Sequence, residues 1–235
     1  VFYLLPKFTT AVYNACLRNG CFPKVWEKAK VVPIIKPGKE NSKTVSKYRP
    51  ISLLNVAGKV LETLLIKRIM HHIYSGNLMN KNQFGFTPQT GTIDALMSLK
   101  SFVEEGLSNQ QYLLMLIVSL DVKGAFDDAW WPSILNALNF LNCPRNLYIL
   151  SRSYFHERTT SFSTNSIEVR RNTSKGCPQG SCCGRGYWNV MYDSLLKLKY
   201  NDNSKIIAFA DDLMLIIKGN SLLEIENPAN IELPK

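Results

Sequence analysis

Two apolar stretches decide the reading of this chain: Leu113–Asp121 (LLMLIVSLD) and Ile206–Ile217 (IIAFADDLMLII). Leu113 to Leu120 runs apolar without alternation, as a strand buried on both faces would, and Asp121 closes it. Ile206–Ala210 and Leu213–Ile217 read as two further strands, separated only by Asp211-Asp212, the length of a tight hairpin turn. A carboxylate at a buried strand end is costly unless it is paired or binds a metal. A hairpin tip lying beside the end of another strand would bring Asp121, Asp211 and Asp212 together. Such a cluster repels itself and needs cations. Magnesium fits, because it takes few carboxylates and completes its shell with substrate phosphates. The chemistry this serves is two-metal phosphoryl or nucleotidyl transfer. The competing reading, an ordinary strand end and an exposed Asp-Asp turn, loses ground because both sites are flanked by unusually apolar strands.

Working outward, Phe2 to Leu17 predicts an amphipathic helix with Leu5, Phe8, Val12 and Ala15 on its inner side. Val31 to Ile35 is β-branched but holds Pro33, which predicts an edge strand, and the polar Lys36 to Lys47 a loop or hairpin tip. Asn55 can cap a helix to about Tyr74, with Val60, Leu61, Leu64, Leu65, Ile69 and Ile73 on one stripe. A second helix fits Thr92 to Glu105, with Ile93, Leu96, Met97 and Val103 inward. Pro132 starts another, Thr159 to Arg171 reads as a hairpin around Thr164-Asn165, and Tyr187 to Leu198 is amphipathic. Strands and helices mix without regular βαβ alternation, so the fold class is α+β.

At 235 residues the chain can bury a sizeable core, and 46% hydrophobic residues exclude disorder. No apolar run is long enough to span a bilayer, and no signal peptide is visible at the start. No membrane partner is expected. Val1 in place of Met suggests a piece of a longer product. The six cysteines show neither zinc-ligand nor disulfide-framework spacing, which suits reduced thiols in an intracellular protein. Net charge is +10, but residues 1–81 hold 14 Lys/Arg against 3 Asp/Glu and residues 82–235 hold 14 against 15. A basic lobe joined to a near-neutral one suits a phosphate-bearing partner, nucleic acid first; a solvated basic face is the equal alternative.

Lys175 to Ser181 (KGCPQGS) sets two glycines, a proline and a glutamine before a helix. The glycines allow close backbone approach, and the loop–helix junction can offer N–H groups to an anion or a base pair.

Together these residues resemble the reverse transcriptase domain of non-LTR (LINE-type) retrotransposons. Five segments carry the resemblance: Val32–Leu54 (VPIIKPGKENSKTVSKYRPISLL), Gln83–Leu96 (QFGFTPQTGTIDAL), Ser119–Asp128 (SLDVKGAFDD), Ser174–Ser181 (SKGCPQGS) and Ala208–Asp212 (AFADD). It implies a right-hand polymerase fold, with fingers over residues 1–110, an antiparallel palm sheet packed on helices over 111–218, and a tail at 219–235. The endonuclease and thumb of such proteins are expected to lie outside this chain. The implied activity is RNA-directed DNA polymerisation on an RNA template and DNA primer, with dNTP as substrate and two Mg2+ ions (Mn2+ in substitution).

The resemblance also implies roles. Asp121 and Asp211 would be the metal-binding catalytic acids and Asp212 the third acid, with the Val122 carbonyl a further metal ligand. Phe126 would be the steric gate against a 2′-hydroxyl. Its plain reading is a core aromatic at a helix start, which can hold alongside the gate. Lys36 and Arg49 would hold the triphosphate, and Gln179 and Gly180 would line the nucleotide and template pocket. Arg152, Arg158, Arg170, Arg171 and Lys175 could follow the template–primer backbone, with a solvated face at least as good a reading. His71 and His72 are read as interacting with the carbonyls ending their helix, Trp130 and Trp131 as core residues, and Met191 and Tyr192 as ordinary helix positions. Two other functions use similar residues: a non-catalytic nucleic-acid-binding relic, and a metal-dependent nuclease, which leaves the fingers-like segment and Phe126 unexplained.

Overall fold

The computed structural model describes residues 5–41, 44–108, 114–164 and 167–232. The chain divides into two compact units, Val1–Leu78 with Phe126–Val190, and Met79–Ala125 with Met191–Lys235. Two helices, α4 (Ala125–Asp128) and α7 (Gly184–Leu196), run across the unit boundaries.

The first unit holds α1 (Pro6–Asn19), β1 (Lys28–Ile35), β2 (Tyr48–Leu54), α2 (Val56–Ser75), α5 (Trp131–Phe140), α6 (Arg145–Phe155), β4 (Thr159–Ser163) and β5 (Glu168–Asn172). The strands form one sheet in the order β2-β1-β4-β5. β1 pairs antiparallel with β2 along Ala29–Ile35 but parallel with β4 only through Lys28–Lys30. Val31–Ile35 therefore has one ladder neighbour, and Pro33, which cannot donate a hydrogen bond, sits there opposite Pro50. The β4–β5 hairpin closes at Ser163↔Glu168; Asn165, expected at its tip, lies outside the described residues.

Asn55 caps α2 as its sequence predicts. Its Oδ1 accepts the Ala57 and Gly58 N–H groups at 2.9 and 3.4 Å. The stripe Leu61, Leu65, Ile69 and Ile73 is fully buried, while Val60 and Leu64 are half-buried. We expect Asn55→Ala to cost about 1 kcal/mol through the lost cap. Urea denaturation checks this, and an unchanged midpoint would mean that the cap is not used.

The rest of this core is aromatic. Phe22 meets Tyr154 with ring centroids 5.2 Å apart, Phe155 meets Tyr187 at 4.9 Å, and Trp131 meets Phe155 at 5.3 Å. The expected inner face of α1 is only partly covered: Leu5 and Phe8 are exposed, Val12 and Ala15 are half-buried, and the buried residues are Tyr13, Cys16 and Leu17, while Phe2 lies outside the described residues. Both sets fit a 3.6-residue period, and contact with the neighbouring elements selects the second.

The second unit holds α3 (Thr92–Ser108), β3 (Leu114–Leu120), β6 (Ser204–Phe209), β7 (Asp212–Gly219) and α8 (Leu222–Glu232). Its antiparallel sheet has the order β3-β7-β6. One face buries Ile207 and Ile216 with Ala95 of α3, and Leu99, Phe102 and Met214 pack around them. The other buries Leu215 and Ile217 with Ile225 and Ala229 of α8.

Two expectations are corrected here. The strand buried on both faces is β7, not β3: as an edge strand, β3 keeps Leu114 and Ile117 exposed and buries no residue fully. Leu113 lies outside the described residues. On α3 the expected inward residues Ile93, Leu96 and Met97 are exposed and Val103 is half-buried, while Ala95, Leu99 and Phe102 meet the sheet. Among the described residues no helix is long and apolar enough to cross a membrane.

Candidate active site

The β6–β7 hairpin carries the paired acids, but its turn is shifted by one residue from the expected position. Phe209 pairs with Asp212, so the two turn residues are Ala210 and Asp211, and Asp212 already belongs to β7. Ala210 has φ +60°, and Asp211 is not left-handed. A positive φ at the first turn position only is the type II′ pattern, which ordinarily takes glycine. Asp211 is half-buried and Asp212 exposed. Asp212 and Met214 line a cavity of about 250 Å³ with Thr92, Ala95, Leu96 and Phe209.

β3 ends beside this turn. Its last pair with β7 is Leu120↔Leu213, so continuing the register by one residue sets exposed Asp121 opposite Asp212. The three acids thus lie on adjacent strand ends at one end of one sheet. The carbonyl of Val122 accepts the Ala125 N–H at 3.2 Å and retains a second lone pair.

Among the described residues no group of three or more His, Cys, Asp or Glu side chains is gathered to hold a metal. The donor set here is a few carboxylates and a carbonyl. All are oxygen, which suits a hard divalent cation that keeps most of its shell for water and substrate.

The turn is held from behind. Gln83, buried, accepts the Ala210 N–H at 3.1 Å and the Gly85 N–H at 2.9 Å through Oε1, and donates from Nε2 to the Ala210 carbonyl at 3.2 Å. The segment around it lies along β6, with Phe84 N–H donating to the Ala208 carbonyl and Ala208 N–H to the Asn82 carbonyl. A Cβ on Gly85 would lie 2.0 Å from the Ala210 nitrogen, so only glycine allows this approach. Tyr192, expected to be an ordinary helix position, is buried with its hydroxyl donating to the Asp211 carbonyl at 3.5 Å. Its phenol is pushed up to about 12, first by burial and then by the charge of Asp211.

In the first unit the loop Lys175–Ser181 is stitched to its own chain. Gly176 N–H donates to the Ala129 carbonyl at 2.7 Å, Cys177 N–H to Phe126 at 2.6 Å, and Trp131 Nε1 to the Gly176 carbonyl at 2.8 Å. Ser52 N–H donates to the Gln179 carbonyl at 2.7 Å, which adds the loop to the free edge of β2. Gly180 follows with φ +113°, and a Cβ there would meet the Ser52 oxygen at 2.6 Å. The close approach that the glycines allow is thus to protein backbone.

The N–H groups of Cys182 and Cys183 just before the helix are taken as well, the second by Ser181 Oγ at 3.1 Å. Buried Glu62 accepts the Cys182 N–H at 2.7 Å and the Ser181 hydroxyl at 2.8 Å. A carboxylate supplied by α2 stands where an anion would bind.

Gln179 lines a cavity of about 150 Å³ with Ser52, Pro50, Thr160, Asp127 and Lys175. Its Nε2 donates weakly to Asp127 Oδ1 at 3.5 Å. Burial raises the Asp127 carboxyl above its ordinary value, against the lowering pull of Gln179 and of the Lys36 ammonium. Gln179 and Asp127 are therefore neighbours. Arg49 is exposed and alternates with Pro50 and Ser52, so it projects from the other face of β2. Phe126 is half-buried and its ring packs on that of Trp188, with centroids 5.2 Å apart.

Several weaker expectations change. Arg158 is buried, 4.3 Å over the Tyr154 ring and donating to the Tyr154 carbonyl, so it is no backbone-tracking cation. Arg170 pairs with Glu168 at 3.0 Å and Lys175 with Asp128 at 2.6 Å, both exposed. His72 contacts the carbonyl of Leu141 at 3.1 Å, on another helix end rather than its own. Trp131 is buried as expected, but Trp130 is exposed. Gln83 opens one of the five segments that carry the resemblance, but its contact with the turn has no local signal, and Tyr192 has none either. Only a polar residue among apolar ones, as at Glu62, hints at a buried role.

The family described as reverse transcriptase (RNA-dependent DNA polymerase) matches residues 34–227. A 115 kDa protein of the type-1 retrotransposable element R1DM of Drosophila melanogaster is 35% identical over 226 residues, covering 96% of this chain and 21% of that protein. The RNA-directed DNA polymerase from mobile element jockey of the same organism is 31% identical over 223 residues, 92% of this chain and 24% of the relative. The chain therefore spans about a fifth to a quarter of these relatives. Among solved structures, apo telomerase from Candida tropicalis, truncated from its C-terminal domain, matches with TM-score 0.65 at 10% identity. That match covers 96% of this chain and 52% of the telomerase chain, and shares the fold.

Proposed function

Because this chain belongs to the reverse transcriptase (RNA-dependent DNA polymerase) family, we propose that it is the fingers and palm of a non-LTR retrotransposon polymerase. Residues 1–110 supply the fingers, 111–218 the palm, and 219–235 begin the next element. The reaction is addition of a dNTP to a DNA primer 3′-hydroxyl on an RNA template, with release of pyrophosphate. The observation that carries this reading is the hairpin tip bearing Asp211 and Asp212 beside the strand end bearing Asp121.

Asp121 and Asp211, with the Val122 carbonyl, would hold two divalent ions, magnesium or manganese in its place, which would supply activation of the primer hydroxyl and neutralisation of phosphoryl charge. Lys36 and Arg49 bind the triphosphate, a role for which ammonium and guanidinium donors are suited. Gln179 and Gly180 line the nucleotide pocket, and the Phe126 ring excludes a 2′-hydroxyl by its bulk. Holding the primer oxygen and the phosphate in line supplies much of the rate.

The test is primer extension on poly(rA)·oligo(dT) with magnesium, offering dTTP or UTP. Extension with dTTP and little with UTP supports the assignment, and no extension counts against an active polymerase. Phe126→Val should raise UTP use relative to dTTP by about a hundredfold, the scale of a pocket that loses its steric filter. An unchanged ratio would remove Phe126 from that role.

A further inference from the structure

Gln83 lies more than a hundred positions before Asp211 and carries no charge, yet every polar atom of its amide meets the backbone at the acid-bearing turn. Two N–H groups, from Gly85 and Ala210, converge on one terminal atom, so that atom is the oxygen. The other terminal atom faces the Ala210 carbonyl at 3.2 Å, so it is the NH2. The amide therefore brackets residue 210 on both its donor and its acceptor. Gln83 itself is 2% exposed, which keeps water from competing for these bonds.

Residue 210 is where the hairpin needs holding. Ala210 takes φ +60°, which an alanine ordinarily avoids and a glycine adopts freely. Relaxation of that torsion would turn the following residue, Asp211, away from the strand end that bears Asp121. The Gly85 backbone, packed within contact of the Ala210 nitrogen, closes the other route by which the turn could shift.

We propose that Gln83 is a positioning residue for the metal site, holding Ala210 at its positive φ in the Ala210–Asp211 turn so that Asp211 is presented beside Asp121. This rests on the reading of Asp211 as a metal ligand. A carboxylate at position 83 would keep the two accepted bonds. It would also lose the donated one and set a negative charge against the Ala210 carbonyl, so a glutamate is no substitute.

The experiment is NMR of the full chain, with amide hydrogen exchange and a titration with Mn2+ followed by line broadening at the amides of residues 121, 211 and 212. In Gln83→Ala the Ala210 and Gly85 amides should exchange at least about tenfold faster, with Ile207 and Leu215 of the same hairpin unchanged. The Mn2+ midpoint should rise by about tenfold or more, the usual penalty for removing a group that orients a ligand. Adding Ala210→Gly to Gln83→Ala should recover part of that loss, because glycine takes the positive φ unaided, whereas a general packing defect at position 83 would not respond.

Asp211→Asn is the control. If it leaves localised broadening as in the parent, or the parent shows none, the metal reading is wrong and the proposal goes with it. If Asp211→Asn abolishes broadening while Gln83→Ala frees the turn without moving the midpoint, the metal reading stands and the positioning role is overturned. Unchanged exchange at Ala210 in Gln83→Ala overturns it as well.

Discussion

Asp211→Asn should reduce deoxynucleotide incorporation by about a thousandfold or more, the scale of several kcal/mol of lost transition-state stabilisation. The side chain keeps its size and loses the charge that would hold a cation. The fold should be unaffected, because the turn is secured through the backbone of Ala210 by Gln83, and the flanking residues Leu213 and Ala208 are buried in the sheet. Primer extension with dTTP and magnesium, run beside a thermal melt of both proteins, separates the two effects. A melting temperature within about 2 °C of the parent together with lost extension is the expected pair. Retained extension in a folded Asp211→Asn protein would sink the assignment of the site.

The second large effect is expected at Gly85, which is remote from any reacting group. Its missing Cβ would lie 2.0 Å from the Ala210 nitrogen, 2.7 Å from the Ala210 Cα and 2.8 Å from the Phe209 carbonyl carbon. All three are backbone atoms of the acid-bearing hairpin, so no side chain can swing aside to make room. Gly85→Ala must push the turn away from Gln83 or distort the 82–85 segment that lies on β6. We expect a cost of about 3 kcal/mol, at the upper end for forcing extra volume into a packed site. For a chain of this size that lowers the melting temperature by about 10 °C. Incorporation should fall further than the loss of folded protein explains, because the atoms displaced carry Asp211.

Gly91→Ala is the matched control. The nearest atom to a Cβ there is an Asp94 carboxylate oxygen at 3.7 Å, an ordinary contact. If Gly85→Ala melts with Gly91→Ala and the parent, the close approach does not exist in solution.

The elements of the fold differ in how far the chain alone announces them. The β6–β7 hairpin is legible because two apolar runs with only two acids between them can hardly be anything else. The helix from Asn55 is legible because its cap and its Leu61-Leu65-Ile69 stripe are local signals. α3 and β3 are misread in the same way. Ile93, Leu96 and Met97 fit a helical period as well as Ala95, Leu99 and Phe102 do, and LLMLIVSL looks as buried as LMLII. The helix Arg145–Phe155 and the helix Leu222–Glu232, with Pro228 inside it, escape the sequence reading. The first has no side-chain cap; the second is capped by Ser221, whose Oγ accepts the Glu224 N–H at 3.3 Å, but Pro228 interrupts its pattern, and packing supplies what propensity does not.

By itself, the amino-acid sequence determined the α+β class, the family through its five segments, and the three acids that stand out from apolar surroundings, because these follow from local composition, period and motif. Tertiary structure decided which apolar strand is central and which helix face is buried, since that depends on neighbours far away in the chain. It also decided that the turn begins at Ala210, that Glu62 fills the helix N-terminus beside Cys182, and that Gln83 and Gly85 back the acid-bearing turn. A hydrogen bond between residues 83 and 210 leaves no periodicity in the sequence. Only the folding that brings the segment at 82–85 alongside β6 creates it.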